Sequence, residues 1–503
     1  MVFYNSSFEA PPLYKAVSTY LKKRKVPFHV PLQGRSTAFS SLSPLKEDFF
    51  SFLRFDLTEL PGLDDLHLPR GAIKKSQALA ASLFNAGESF FLVNGVTSGL
   101  LAVFLSLCRP GDKVLLSRLS HKAALHGIIL SGADPLYLPV ERDNASSLPL
   151  NVSPGIIKKA LKEHPEARVL FITSPSYWGV TADLSSIKKV AEEYNVTLVV
   201  DEAHGAHFPF YRNKLIHSAA SGADIWLHSA HKSLGALTPA ALLHSNLKQN
   251  RELKFWLQVL QTSSPSYPLM LSLDLLRYYL SKFGDRVFNS TWKWALTLRY
   301  ELKRLGVPFL PIASVKGMGF NLDPARVTLL TPGGGGGDIA SILSQKFDLQ
   351  MEMYGASYIL AITGPAHLNH SPYSLADKIA EAQRQFYNLY DRKASRGVDF
   401  PPSFFSQRYD IEREDGATAF LSPFPFTPSQ ALKQPSCMLP LEKCAGKISG
   451  DTVVLSPPGI PVLSPGEVVS PELVNYLMQQ RAEGRQFQGA FDPSLQKLSV
   501  VAT

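Results

Sequence analysis

Two short stretches hold the densest grouping of reactive side chains. The apolar run Thr197 to Val200 ends at Asp201-Glu202-Ala203-His204-Gly205, and Ile225 to Leu227 ends at His228-Ser229-Ala230-His231-Lys232-Ser233. A carboxylate at the end of a buried strand usually binds a metal or pairs with a cationic nitrogen. A lysine in the polar loop after the next strand can reach back into the same crevice. A third apolar run, Phe90 to Val93, opens into Asn94-Gly95-Val96-Thr97-Ser98-Gly99, and His121 starts a helix after a fourth. Hydroxyls beside the free N–H groups of a helix N-terminus suit a phosphate, and they equally suit capping.

Taken singly, each of these residues has a commoner structural job. Together they match what pyridoxal phosphate asks of a protein. A lysine amine must form the imine, with its pKa lowered so that it is nucleophilic. A carboxylate must keep the pyridine nitrogen protonated so that the ring accepts electrons. A phosphate cup and a flat group over the ring complete the set. Lys232 supplies the amine and Asp201 the acid, Thr97, Ser98, Ser229 and His231 the cup, and His121 the stacking ring. No metal is implied.

Positioning these groups takes a scaffold in which strand ends share one edge. The chain alternates strand patterns (Phe90 to Val93, Lys113 to Leu116, Pro135 to Leu138, Val169 to Thr173, Thr197 to Val200, Ile225 to Leu227, Ala240 to Leu243) with helical ones (Thr97 to Cys108, His121 to Leu130, Pro154 to Glu163, Leu184 to Tyr194). That rhythm predicts an α/β fold, a mostly parallel sheet with helices on both faces. Near-continuous apolar strands agree with it. Ligands of such sheets bind outside the carboxyl ends of the strands. Three regions are expected: an N-terminal segment 1–70, a major domain 71–330, and a smaller C-terminal α/β domain 338–503. The run Gly333 to Gly337 lacks a following GKS or GKT and is expected to be a flexible loop.

The bulk numbers exclude more than they assign. The 503 residues exceed one compact core; 45% are hydrophobic and 18% charged, which is globular. The net charge of +9 is scattered, with Lys22, Lys23, Arg24 and Lys25 the nearest thing to a cluster, so no nucleic-acid partner is expected. Three cysteines make neither a disulfide framework nor a metal pattern and fit a reducing compartment. With no secretory leader and no apolar run of about 20 residues, a cytoplasmic protein off the membrane is expected.

The stretches SAHKSLGALTP, VVDEAHGAHF, FFLVNGVTSG and SHKAALHGIILSGA resemble the bacterial ornithine/lysine/arginine decarboxylases. The likeness continues collinearly through VPFHVP, DLTELPGLDDLH, ITSPSYWGV, QTSSPSYPLMLSLD and CAGKIS…SPPGIPVLSPGE, over about residues 10 to 480. It implies a fold-type I PLP-dependent transferase fold, in the short form without an N-terminal wing domain. Lys232 would be the Schiff-base lysine, with His231 beside it as phosphate contact and proton donor. Asp201 would pair with the pyridine nitrogen, Ala203 and His121 would cover the two ring faces, and His204 would lie near the phenolic oxygen. Thr97, Ser98 and Ser229 would hold phosphate. The resemblance also implies a homodimer or higher homo-oligomer with an interface active site, to which Thr262, Ser263 and Ser264 would contribute.

The implied activity is decarboxylation of arginine, lysine or ornithine to agmatine or a diamine. Glu59, Asp64, Asp65 and Glu352 are candidate acids for the distal cation. The family's PGHK after FHxP is replaced by Leu32-Gln33-Gly34-Arg35, and Ser456 stands where its YPPG has tyrosine. Both departures bear on the substrate more than on the cofactor. Alternatives are another fold-type I enzyme, such as an aminotransferase or acyl transferase, and a non-catalytic paralogue acting as a subunit or regulator. An aminotransferase normally needs a C-terminal arginine for the α-carboxylate, for which only Arg384, Arg392 and Arg396 lie between 338 and 400.

Overall fold

A computed structural model describes residues 10–23, 30–31, 53–212, 214–389, 425–456, 459–482 and 484–502. The replaced PGHK stretch, Arg392, Arg396, and Pro457 and Pro458 of the SPPG segment lie outside them. Among the described residues the main sheet has seven strands: β1 (Glu88–Leu92), β2 (Lys113–Ser117), β3 (Asp134–Leu138), β4 (Val169–Thr173), β6 (Thr197–Asp201), β7 (Ile225–His228) and β8 (Ala241–Ser245). Two-residue strands β5 (Val180–Thr181) and β9 (Asn321–Leu322) pair antiparallel outside it. The order is β1-β8-β7-β6-β4-β2-β3. β2 pairs parallel with β3 and β4, and β4 with β6, whereas β8 runs antiparallel to both β1 and β7.

Every residue of β4 is buried, as an apolar strand covered on both faces must be. Of the helices between strands, Pro154–Glu163 and Leu184–Glu193 present one apolar stripe each. In Leu184–Glu193 the buried residues are Leu184, Ile187 and Ala191, and the Asp183 side chain accepts the Ser186 N–H at 3.1 Å.

The chain divides into two compact units, one of residues 1–106, 202–210 and 217–286, the other of 107–201, 211–216 and 287–503. In the first, helix Gly95–Leu107 follows β1. A Cβ on Gly99 would come within 2.7 Å of both Leu92 and Leu227, so glycine is what lets this helix approach the sheet closely.

In the second unit a small antiparallel sheet, β10 (Arg326–Leu330), β12 (Tyr358–Ile362) and β11 (Met353–Tyr354), packs with helices Gly336–Phe347 and Pro372–Leu389 around Val327, Leu329, Leu343, Ile359 and Ile379. The glycine run is only half a loop. Gly333 and Gly334 turn with positive φ, but Gly336 and Gly337 are already helical. A side chain on Gly336 would collide with the carbonyl of Gly355, and one on Gly335 with the Phe386 ring. Left-handed φ accounts for Gly333 and Gly334, and close packing for Gly335 and Gly336.

The C-terminal segment is built from short strands, including β13 (Ser436–Pro440), β14 (Val453–Leu455) and β15 (Ile460–Leu463). Cys437 is exposed on β13, while Cys108 and Cys444 are buried. Burial, reinforced by the Asp112 charge, pushes the Cys108 thiol up to about 12. No helix among the described residues is long and apolar enough to cross a membrane.

Candidate active site

In the first unit, β7 ends at His228. Ser229 then takes the N-cap position of a one-turn helix, Ala230–Ser233, that carries His231 and Lys232. The Lys232 backbone N–H donates to the Ser229 carbonyl at 3.1 Å. Its Nζ lies 3.2 Å from His204 Nε2, so the structure brings together the two side chains that follow adjacent strands. A charged amine can only donate, which makes His204 Nε2 the acceptor. His231 Nδ1 donates to the Ala240 carbonyl at 3.2 Å, leaving Nε2 as the acceptor of the neutral ring. Burial and the Lys232 charge hold the His231 pKa below the usual histidine range, against the opposing pull of the Ala240 bond.

Thr97 is exposed and Ser98 buried, and the Ser98 hydroxyl donates back to the Gly95 carbonyl at 2.9 Å. Ala203 is 6% exposed and Ser229 is 2% exposed.

In the second unit, Asp201 is the buried last residue of β6. His121 is half-buried at the N-cap of helix Lys122–Ser131, its Nδ1 accepting the Ala123 N–H at 3.2 Å.

The four candidate acids separate. Asp64 is buried, and its carboxylate collects the backbone N–H groups of Arg70, Gly71, Ile73 and Lys74 at 2.8–3.2 Å. It therefore serves the start of helix Ala72–Leu83, and its carbonyl accepts the Tyr267 hydroxyl. Expected as a candidate for a substrate cation, its carboxylate is here engaged by these backbone donors. Asp65 accepts the His67 N–H at 2.7 Å and is half-buried. Glu59, which accepts the Thr58 hydroxyl, and Glu352 are exposed. Thr262 stays within the first unit, its N–H on Asn94 Oδ1 at 3.3 Å and its carbonyl on His67 Nε2 at 2.8 Å.

Sequence reasoning missed a buried chain of polar groups behind Lys232. Glu202, fully buried, accepts from His228 Nε2 at 2.8 Å and from the Ser218 N–H at 2.9 Å. His228 Nδ1 lies 3.2 Å from His244 Nε2, and His244 Nδ1 is 2.7 Å from Ser89 Oγ. With Glu202 ionised, one assignment of protons satisfies every member. Ser89 donates to His244, His244 to His228, and His228 to Glu202. The chain ties β1, β8 and β7 to the DEAH segment. Its only legible trace was the presence of three polar residues inside strands.

Burial, with His228 adding to it, holds the His244 pKa well below the ordinary value, and burial lowers that of His217. The unfolded chain takes up these protons near pH 6.5 and the folded chain resists them. The folded protein should therefore hold this stability above about pH 6.5 and lose it as pH falls below that value. Thermal midpoints recorded from pH 8 to pH 5 should drop on the acid side; a flat profile would contradict this.

Polar atoms left open at the strand ends indicate a ligand. Ser233 Oγ in the first unit, and Ser120 Oγ and Thr173 Oγ1 in the second, are buried without a hydrogen-bond partner among the described residues. Buried unpaired hydroxyls are uncommon because they cost free energy. Within the first unit the Lys232 amine suits the aldehyde of pyridoxal phosphate and the open Ser233 hydroxyl its phosphate; within the second the Asp201 carboxylate suits a pyridine nitrogen.

The architecture and this chemistry define an α/β enzyme of the fold-type I class. Lysine decarboxylase A from Pseudomonas aeruginosa superposes with a TM-score of 0.79 at 22% identity, over 99% of this chain and 81% of that one. The model of the Orn/Lys/Arg decarboxylase major domain matches residues 11–318, and that of the family's C-terminal domain matches 427–501. The chain belongs to the Orn/Lys/Arg decarboxylase family, a family of amino-acid decarboxylases. It is 30% identical over 502 residues to an arginine decarboxylase of Bacillus subtilis, covering 97% of both chains. It is also 34% identical over 477 residues to the uncharacterised protein YaaO of the same organism, covering 93% of both.

Proposed function

We propose that this enzyme removes the α-carboxylate of arginine as carbon dioxide, with pyridoxal phosphate carried on Lys232. The observation that carries the proposal is the Lys232–His204 contact at 3.2 Å on a loop closing a strand of the main sheet. The full-length likeness to an arginine decarboxylase favours arginine over lysine and ornithine. When bound, the cofactor supplies an aldehyde that condenses with amines and a ring that accepts the electrons released with carbon dioxide.

The protein's own groups do the rest. Lys232 presents the amine, and His204 keeps it oriented. Asp201 holds the proton on the ring nitrogen. His121 and Ala203 cover the ring faces, and Thr97, Ser98, Ser229 and His231 hold the phosphate. Lys232, or His231 when it carries a proton on Nε2, returns a proton to Cα. Glu59, Asp65 and Glu352 are the acids left for the guanidinium, which favours a planar bidentate carboxylate. The enzyme acts in the cytoplasm as a homodimer or larger homo-oligomer, its major domain spanning 71–330 and its small domain 338–503.

Carbon dioxide release should be measured from arginine, lysine and ornithine separately, alongside the visible absorbance of the cofactor-loaded protein. Release from arginine alone is the expected result. An absorbance band with no gas from any of the three would sink the decarboxylase proposal. The aminotransferase alternative is weaker, because Arg384 is exposed and paired with Glu381 at 3.0 Å.

A further inference from the structure

The turn that carries His121 is gripped by chain more than 300 residues downstream. Arg118 is buried, ion-paired with buried Glu467, and lies 3.6 Å from the centroid of the Tyr137 ring. Lys122 donates its backbone N–H to the Gly459 carbonyl at 3.0 Å and its Nζ to Gln488 Oε1 at 2.6 Å. All of these residues belong to the second unit.

Gly459 makes the most consequential of these contacts. Its φ is +85°, and a Cβ built on it would lie 3.0 Å from His121 Nε2 and 3.1 Å from Cδ2. Ordinary carbon contacts lie at about 3.5–4.0 Å. The opposite edge of the imidazole is held by the Ala123 N–H on Nδ1. To admit a methyl group at 459 the ring would have to shift by a few tenths of an ångström, against the cap bond that holds its Nδ1. The backbone of Gly459 forms a wall that sets where the imidazole lies.

We propose that Gly459 is a positioning residue, through which the C-terminal domain fixes the orientation of His121 over the cofactor ring. This rests on the role given to His121 above. It also gives the SPPG segment a use independent of the missing tyrosine, since the glycine and its carbonyl make the contact.

The test uses the full-length, cofactor-loaded protein and the visible circular dichroism of the bound cofactor, which responds to ring orientation. Asparagine tolerates a left-handed backbone, so Gly459→Asn adds a Cβ with little strain. Gly446→Asn is the control, at φ +77° with nothing within 4 Å of its Cβ. Gly459→Asn should reverse the dichroic band or remove most of it, and Gly446→Asn should leave it unchanged. In a His121→Ala background, adding Gly459→Asn should change nothing further. A Gly459→Asn spectrum equal to that of Gly446→Asn overturns the inference, as does an effect that persists without His121. Absence of any band from the unsubstituted protein would overturn the cofactor assignment as well, so the two failures are distinguishable.

Discussion

Replacing Lys232 with alanine should abolish turnover and the visible band of the bound cofactor together, while the protein stays folded. The side chain is exposed, and the backbone bond to Ser229 that shapes its helical turn survives the change. What disappears is the amine. Removing the covalent catalyst from an enzyme lowers kcat on the order of 10⁴–10⁶-fold, the residue of activity coming from binding alone. The decisive measurement is borohydride trapping with the thermal midpoint recorded beside it. An unchanged midpoint with no trapped adduct is expected. A variant that still traps cofactor at normal stoichiometry would place the reactive amine elsewhere.

Glu202→Ala should cost stability more than any other single change near the site. The carboxylate is fully buried and holds both His228 and the Ser218 N–H. Its loss leaves a buried imidazole without its acceptor and a backbone donor unpaired. Breaking a buried pair from one side typically costs about 3–5 kcal/mol. That is a large part of the ~5–15 kcal/mol by which domains are stable. Glu202→Gln keeps an acceptor for Ser218 and should lose much less. Denaturant midpoints for the two variants decide the matter; equal losses would show that the charge, not the hydrogen bonding, is what counts.

The strands of the main sheet were legible because each is a short apolar run with polar punctuation, and their observed ends lie within two residues of the expected ones. The helix Pro154–Glu163 and the strand Val169–Thr173 coincide with expectation. The Lys232 loop was legible for the same reason, since chemistry-bearing residues stand out where an apolar run stops. The partners that organise it were not. His228 and Glu202 lie 26 positions apart, and Ser89 and His244 lie 155 apart, in strands whose pairing local pattern does not specify. Asp64 shows the opposite case: an acid in a loop carries no local sign that five backbone N–H groups converge on it. The glycine run is a turn in its first half, as expected, and helix in its second, because left-handed turns and close packing ask for the same residue as a loop does.

Thiol chemistry on this protein has one address. Cys108 and Cys444 are sealed inside, and at a pKa near 12 almost none of the Cys108 sulfur is thiolate at neutral pH. A maleimide dye offered to the native protein should therefore mark Cys437 alone. That marking places a reporter on the C-terminal strand pair without engineering a single residue.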